Sequence, residues 1–482
     1  MSPPPTISSL RNSLTFKLFV IAFLVGGLLI LTIPLFIIID EREDRREGVT
    51  QEISAKWGLD QTVIGPILTV PYTVTVTTGS NHQRKTVRET RYLHFLPETL
   101  EVNGSVTPET RHRGIYEAVV YKSILRLTGS FSAPDWEVAK VAEDEIQKDK
   151  AWLTIGIPDA RGIREPTTIT LGGRELEPTP GLPTQDVITS GIKAKIDLSD
   201  ANESREFSIE LRLDGSSSLA FSPIGKTTTV SVDSPWPAPS FDGAFLPLEK
   251  EIGEKGFSAS WKVLHLNRPI PQAWIGSAPE SSGHHHQAWD GNSYDGFRDN
   301  DVPIFSFAGP ENVLGGFAFG VRFYLPTDVY QKTSRMSKYA ILFLCFAFAA
   351  FFFTEILQKA RVHPIQYLLV GFAILVFYLL LLSLSEHFGF DVAYGISTAG
   401  VIILIAGYAQ AILRSMRLGC TVGAVLVILY GYLYVILQLE SYALLMGSLG
   451  LFGTLAAAMY FTRRIDWYAV RLNGERTPPD DT

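Results

Sequence analysis

LFVIAFLVGGLLILTIPLFIII, Leu18 to Ile39, is twenty-two residues long and carries no charge. As a helix rising about 1.5 Å per residue it measures about 33 Å, enough to cross a hydrocarbon core of about 30 Å. A cleaved secretory signal has an apolar stretch of about 7 to 15 residues that ends in small residues. This one ends in Leu35, Phe36, Ile37, Ile38 and Ile39, so an uncleaved anchor is expected, with Pro34 as a candidate kink.

Working outward, roughly 300 mostly polar residues follow, and then five more apolar runs: Tyr339 to Leu357, Tyr367 to Ser385, Val392 to Leu413, Cys420 to Leu437 and Tyr442 to Thr462. Short connections set the orientation through their Lys and Arg residues. With six crossings, Arg11, Lys17, Lys359, Arg361, Arg414, Arg417, Arg463, Arg464, Arg471 and Arg476 all fall on one side. The short loops on the other side hold Glu386, Asp391 and Glu440 and no Lys or Arg. Both termini are therefore expected in the cytoplasm. The expected organisation is a cytoplasmic tail (1–17), a first transmembrane helix (18–39), an exported domain (40–338), a five-helix transmembrane bundle (339–465) and a second cytoplasmic tail (466–482).

The exported stretch keeps 32 basic residues against 41 acidic ones, a net charge near −9. Such a surface does not suit nucleic acid or anionic lipid headgroups. Its sequence has no cysteine, because Cys345 and Cys420 both lie in apolar runs, so it has to hold together by its core alone. Most of it reads as strand. Segments at 67–78, 116–131, 151–157, 167–173, 193–199, 207–213, 227–233, 257–264 and 317–325 are apolar or alternating and rich in β-branched and aromatic residues, with Gly, Pro, Asn and Asp between them. A mainly antiparallel β domain is expected, with helices at 49–57 and 135–148. FLPETLEV at Phe95 and FLPLEKEI at Phe245 echo one another, which makes two related β subdomains one reading of this region.

Several stretches together resemble the CreD family of inner-membrane proteins, also called cell envelope integrity proteins. They are YQKTSRMSKYAILF (Tyr330 to Phe343), HPIQYLLVG (His363 to Gly371), FYLLLLSLSEH (Phe377 to His387) and RRIDWY (Arg463 to Tyr468), supported by GPILTVP (Gly65 to Pro71), DARGI (Asp159 to Ile163) and SFDGAFLP (Ser240 to Pro247). The resemblance implies a Gram-negative inner-membrane protein linked to envelope integrity, colicin tolerance and the β-lactam response, under two-component control. It implies no reaction and no cofactor.

Candidate functional residues are few. Ser385, Glu386, His387 and Asp391 cluster at the end of the third apolar run, where a nucleophile, a base and a carboxylate are all at hand. Neighbours on a helix face different ways, however, so a helix end bonded to loop amides is the plainer reading. Glu386 and His387 remain the first candidates, and His363, before Pro364, is a candidate cap or relay. Glu355 is expected to pair with Lys359 one turn on. His284, His285 and His286 are a weak metal candidate in a Gly- and Ser-rich loop. No HExxH motif is present.

The function expected is a non-enzymatic envelope protein whose β domain engages a periplasmic, cell-wall or membrane partner while six helices hold it in the lipid bilayer. The alternatives are a transporter or flippase of a lipid-like component, and a membrane-associated hydrolase.

Overall fold

In the computed structural model of the protein, the first apolar run is the middle of one long helix, α1 (Leu14–Trp57). Residues 14–78, 85–199, 203–277, 314–323, 340–358, 362–439 and 443–463 are described, with Leu325, Lys332, Thr333 and Met336 between them. Pro34 lies inside α1 without ending it, and the helix expected separately at 49–57 is its continuation. The joining sequence DEREDRREGVTQE explains this: it has no proline, and Glu41–Arg45 and Glu52–Lys56 ion pairs bridge successive turns at 2.9 Å each.

The chain divides into two units, Met1–Arg46 with Thr327–Thr482, and Glu47–Pro326. In the first, the five late apolar runs become α2 (Ala340–Gln358), α3 (Pro364–Phe388), α4 (Phe390–Leu413), α5 (Met416–Gln438) and α6 (Ala443–Thr462). Six crossings were expected. Among the described residues, four helices (α1, α3, α4 and α5) are long and apolar enough to cross a membrane. The apolar stretches described in α2 and α6, Phe343–Phe352 and Leu445–Ala456, fall short of that length. Leu28 of α1 packs directly over Gly371 of α3, where a side chain on residue 371 would collide with it. That socket explains why Leu28 is fully buried on a helix whose other faces are largely exposed.

The second unit contains the strands. The first nine are β1 (Gln61–Thr78), β2 (Lys85–Phe95), β3 (Thr99–Arg113), β4 (Tyr116–Phe131), β5 (Ala151–Gly156), β6 (Thr168–Leu171), β7 (Arg174–Leu176), β8 (Pro178–Pro180) and β9 (Gly191–Ile196). Then come β10 (Arg205–Ser216), β11 (Ser218–Phe221), β12 (Thr227–Ser234), β13 (Pro239–Gly243), β14 (Glu249–Gly253), β15 (Gly256–Leu264), β16 (Ala273–Ile275) and β17 (Phe319–Phe323). They form a nine-stranded sheet, β13-β17-β11-β1-β5-β9-β8 with β2 and β16 joined through β1, and an eight-stranded sheet, β14-β15-β12-β3-β4-β10-β6-β7. Pairing is antiparallel except β1 with β11 and β12 with β3. One core runs through both sheets, with Tyr72, Tyr121 and Trp261 among its fully buried side chains.

Two expectations are corrected. FLPETLEV and FLPLEKEI lead into the hairpins β3–β4 and β14–β15 of the same sheet, so the echo is a repeated hairpin entry in one β unit rather than two subdomains. The helix expected at 135–148 is instead three short 3-10 turns, Trp136–Ala139, Glu143–Glu145 and Lys148–Lys150. This segment has no apolar helical stripe. It is drawn along β1 as Ala139 and Ile146 bury in the core, and Gln147 N–H donates to Pro71 O at 2.9 Å.

His94 on β2 marks a sensitive point in this core. It is 1% exposed, its ring lies 5.4 Å from that of Trp274, and its Nδ1 is 3.2 Å from Thr69 Oγ1. Burial lowers its pKa from 6.5 to about 4, with Asp186 opposing the shift. The unfolded chain therefore binds a proton that the folded chain refuses. The stability due to neutral His94 is complete above pH 6.5 and is lost as the pH falls toward about 4. The loss is worth roughly 3 kcal/mol. Melting curves between pH 7 and 4 should show a flatter acid limb for His94→Gln than for the wild type; equal slopes would refute the assignment.

Candidate functional site

In the helical unit, partnered charges flank the apolar run of α1 on both sides. Lys17, one residue before the apolar run, forms an ion pair with Glu355 of α2, and its Nζ also donates to Val362 O at 3.3 Å. Glu355 is 2% exposed. Its remaining acceptor capacity is filled by the backbone N–H of Val362 at 3.0 Å and the hydroxyl of Tyr367 at 2.8 Å. A carboxylate removed from water needs this degree of satisfaction. Lys359, the partner expected from its i,i+4 spacing, lies outside the described residues.

At the other end, Arg42 pairs with Glu386 at 3.5 Å, and the Glu386 side chain is 8% exposed. Arg42 follows the apolar run of α1, and Glu386 lies in the last turn of α3. Two acids on later helices thus meet two bases that flank the first span. A signal for this was present in the sequence, since Lys17 and Glu355 were assigned to one side of the membrane and Arg42 and Glu386 to the other.

The remaining candidates have separate partners. His387 is exposed and bonds through Nδ1 to Ser383 O at 3.2 Å, while Ser385 is buried and its hydroxyl donates to Leu382 O at 2.9 Å. Asp391 accepts from Tyr434 OH at 3.1 Å and Gln438 Nε2 at 3.0 Å. These contacts leave Ser385, His387 and Asp391 outside any relay of the nucleophile–base–acid kind. His363 caps α3: its Nδ1 accepts from Ile365 N–H at 3.3 Å, and Gln366 Oε1 accepts from His363 N–H at 2.9 Å, a reciprocal capping box. His284, His285 and His286 lie outside the described residues. Among the described residues, no three His, Cys, Asp or Glu side chains come together as a metal site would require.

In the β unit, the C-terminus of α1 is gripped by arginines. Arg161 NH1 donates to Ala55 O at 2.8 Å and Arg164 NH2 to Trp57 O at 2.9 Å, covering carbonyls that a helix end leaves unpaired. Asp159 holds Arg161 at 2.8 Å and accepts from Leu59 N–H at 3.1 Å. The Trp57 indole donates to Tyr121 O at 3.2 Å, and the Arg111 guanidinium sits 4.7 Å from its ring. The DARGI segment therefore serves to fasten α1.

The β unit also has an open sheet edge. β14 pairs only with β15, is exposed along its length, and follows Leu246 and Leu248, which are 74% and 73% exposed. Beside it lies a groove of about 560 Å³ lined by Asp233, Glu251, Ile252, Lys255 and Phe257.

Compared with known proteins, the chain matches the family described as "Inner membrane protein CreD" over residues 13–468. The chain belongs to the CreD family. Inner membrane protein CreD of Escherichia coli (strain K12) is 33% identical to it over 460 residues, 93% of each chain. Among solved structures, an M1 zinc metallopeptidase from Deinococcus radiodurans aligns at 8% identity over 38% of this chain and 42% of that one, with a TM-score of 0.17. A substrate-bound mutant of the same enzyme gives a TM-score of 0.16. Scores this low bear on neither the fold nor the chemistry of the CreD family.

The Lys17–Glu355 pair in this CreD-family protein predicts a sign pattern. Glu355→Leu leaves Lys17, Tyr367 and the Val362 N–H without their acceptor and should lower stability by about 3 kcal/mol. Lys17→Leu should lower it as well, and the double variant should lose less than the sum of the two. Thermal melts of the full chain in nanodiscs measure this; strictly additive losses would show that the two side chains do not interact.

Proposed function

We propose that this inner-membrane CreD-family protein supports cell envelope integrity and the envelope response to β-lactam stress without catalysing a reaction. In this reading its β unit binds an envelope partner, and its helical unit anchors the β unit or relays its bound state. The observation that carries the reading is α1, one uninterrupted helix whose residues up to Arg46 belong to the helical unit and whose residues from Glu47 belong to the β unit. It is fixed by ion pairs in the one and by arginine caps in the other. The β14 edge, with Leu246, Leu248 and Ile252 exposed, is the surface on which the partner would sit.

The proposed topology has six crossings, with both termini cytoplasmic and residues 40–338 periplasmic. α2 and α6, at 19 and 20 residues, supply the fifth and sixth crossings. The distribution of Lys and Arg favours this arrangement, because a chain in which α2 failed to cross would place Lys359 and Arg361 on the exported side. Single cysteines placed near 360, 415 and 470 should be shielded from a membrane-impermeant thiol reagent in intact cells; labelling at 360 would remove α2 from the count.

Crosslinking in living cells followed by purification tests the binding role. A specific envelope protein or cell-wall fragment should be recovered with the wild type and lost with Leu248→Glu; recovery of the chain alone would count against the proposal.

An apolar cleft of about 530 Å³ between α2, α5 and α6, lined by Phe343, Phe346, Leu429, Leu433, Met446 and Leu449, favours a second reading, the handling of a lipid-like molecule. Lipid movement in vesicles containing the purified chain would support it, and rates equal to protein-free vesicles would dispose of it.

A further inference from the structure

The helices α3, α4 and α5 bury a group of hydroxyls that none of the contacts described so far explains. Tyr378 of α3 and Tyr430 of α5 are 0% and 1% exposed, and Ser397 of α4 is 1% exposed. Among the described residues, no protein group bonds Tyr378 OH, Tyr430 OH or Ser397 Oγ. The tyrosines gather around one ring. Phe377 lies 5.2 Å from Tyr378, 4.7 Å from Tyr430 and 5.8 Å from Tyr394, measured between ring centroids. Ser397 follows Tyr394 by three residues and so shares its helix face. Tyr394 is itself satisfied, donating to the backbone carbonyl of Tyr430 at 2.6 Å and thereby tying α4 to α5.

Three unbonded hydroxyls in a membrane bundle are expensive, because neither lipid nor apolar side chains replace the hydrogen bonds they leave behind in water. One stray hydroxyl is tolerable. Two such phenols against one phenyl ring, with Ser397 one turn along α4 from the Tyr394 that packs on the same ring, form a polar centre on three helices. They bring donors and acceptors but no charge, and their neighbours Phe377 and Phe390 are aromatic. That chemistry rejects a metal ion or an anion and suits a small neutral molecule that both donates and accepts.

We propose that this centre binds ordered water, which bridges Tyr378, Ser397 and Tyr430 and joins α3, α4 and α5. A buried water typically makes about three hydrogen bonds, the number of hydroxyls presented here. The way in is from the α4 end that carries Asp391. Asp391 is exposed and bonded by Tyr434 and Gln438, and the Tyr434 ring lies 5.2 Å from that of Tyr394. A run of polar tips thus extends from an exposed carboxylate to the buried centre. Spans whose composition looks wholly apolar acquire a hydrated joint. The hydrogen bonds of such a joint exchange partners more readily than packed methyl groups do, so the three helices keep freedom to shift against one another.

Radiolytic hydroxyl labelling of the full chain in nanodiscs, read by mass spectrometry, tests the proposal, because bound water generates radicals where it sits. Tyr378 and Tyr430 should be modified several-fold faster than Phe348, a side chain buried equally well against Tyr367, whose hydroxyl is already bonded to Glu355. Labelling no faster than at Phe348 would overturn the proposal. Tyr378→Phe and Tyr430→Phe give an independent sign. If water bridges the hydroxyls, each substitution removes a bonded group and lowers the melting midpoint. If the centre is dry, each removes an unpaired polar atom and leaves the midpoint unchanged or raises it, which would also overturn the proposal.

Discussion

A carboxylate buried among membrane helices is the constraint around which the helical unit is organised. Glu355 is tolerated because a cation, a phenol and a backbone amide converge on it. The cation comes from the far end of the sequence, so α1 is bound to the bundle by electrostatics as well as by packing. Leu28 over Gly371 then sets how closely α1 approaches α3, and Arg42 with Glu386 fixes the opposite end. Remove the acid and the first helix keeps those two contacts but loses the ion pair that holds the start of its apolar run.

The apolar runs were legible because hydrocarbon imposes a simple rule of length and charge; α2 to α6 begin and end within a few residues of the expected runs. Strands with a buried alternating face, such as β4, were equally plain. What escaped was decided by distant contacts. β3 carries Glu, Asn, Thr and Arg on its outward positions and reads as loop until β4 and β12 pair with it on either side. The 135–148 segment has helix-forming residues, yet its bonds run to β1. Local propensity loses to burial in both cases.

The candidate site was half legible for a related reason. Glu386 was singled out for its place at a helix end, and the structure gives it Arg42, a partner no local spacing reveals. Glu355 was matched to the cation nearest in sequence, although one much farther along the chain meets it in space. The tyrosines of the bundle were counted as apolar because hydropathy averages over a side chain and hides the hydroxyl at its tip.

The separation of Lys17 from Glu355, 338 residues along the chain, has a consequence in time. At about 5 to 20 residues per second, their synthesis is separated by roughly 20 to 70 s. Through that interval α1 stands in the bilayer without the acid that completes it, while the whole β unit is made. The Lys17–Glu355 contact can therefore form only late, after the residues of the β unit have all been synthesised.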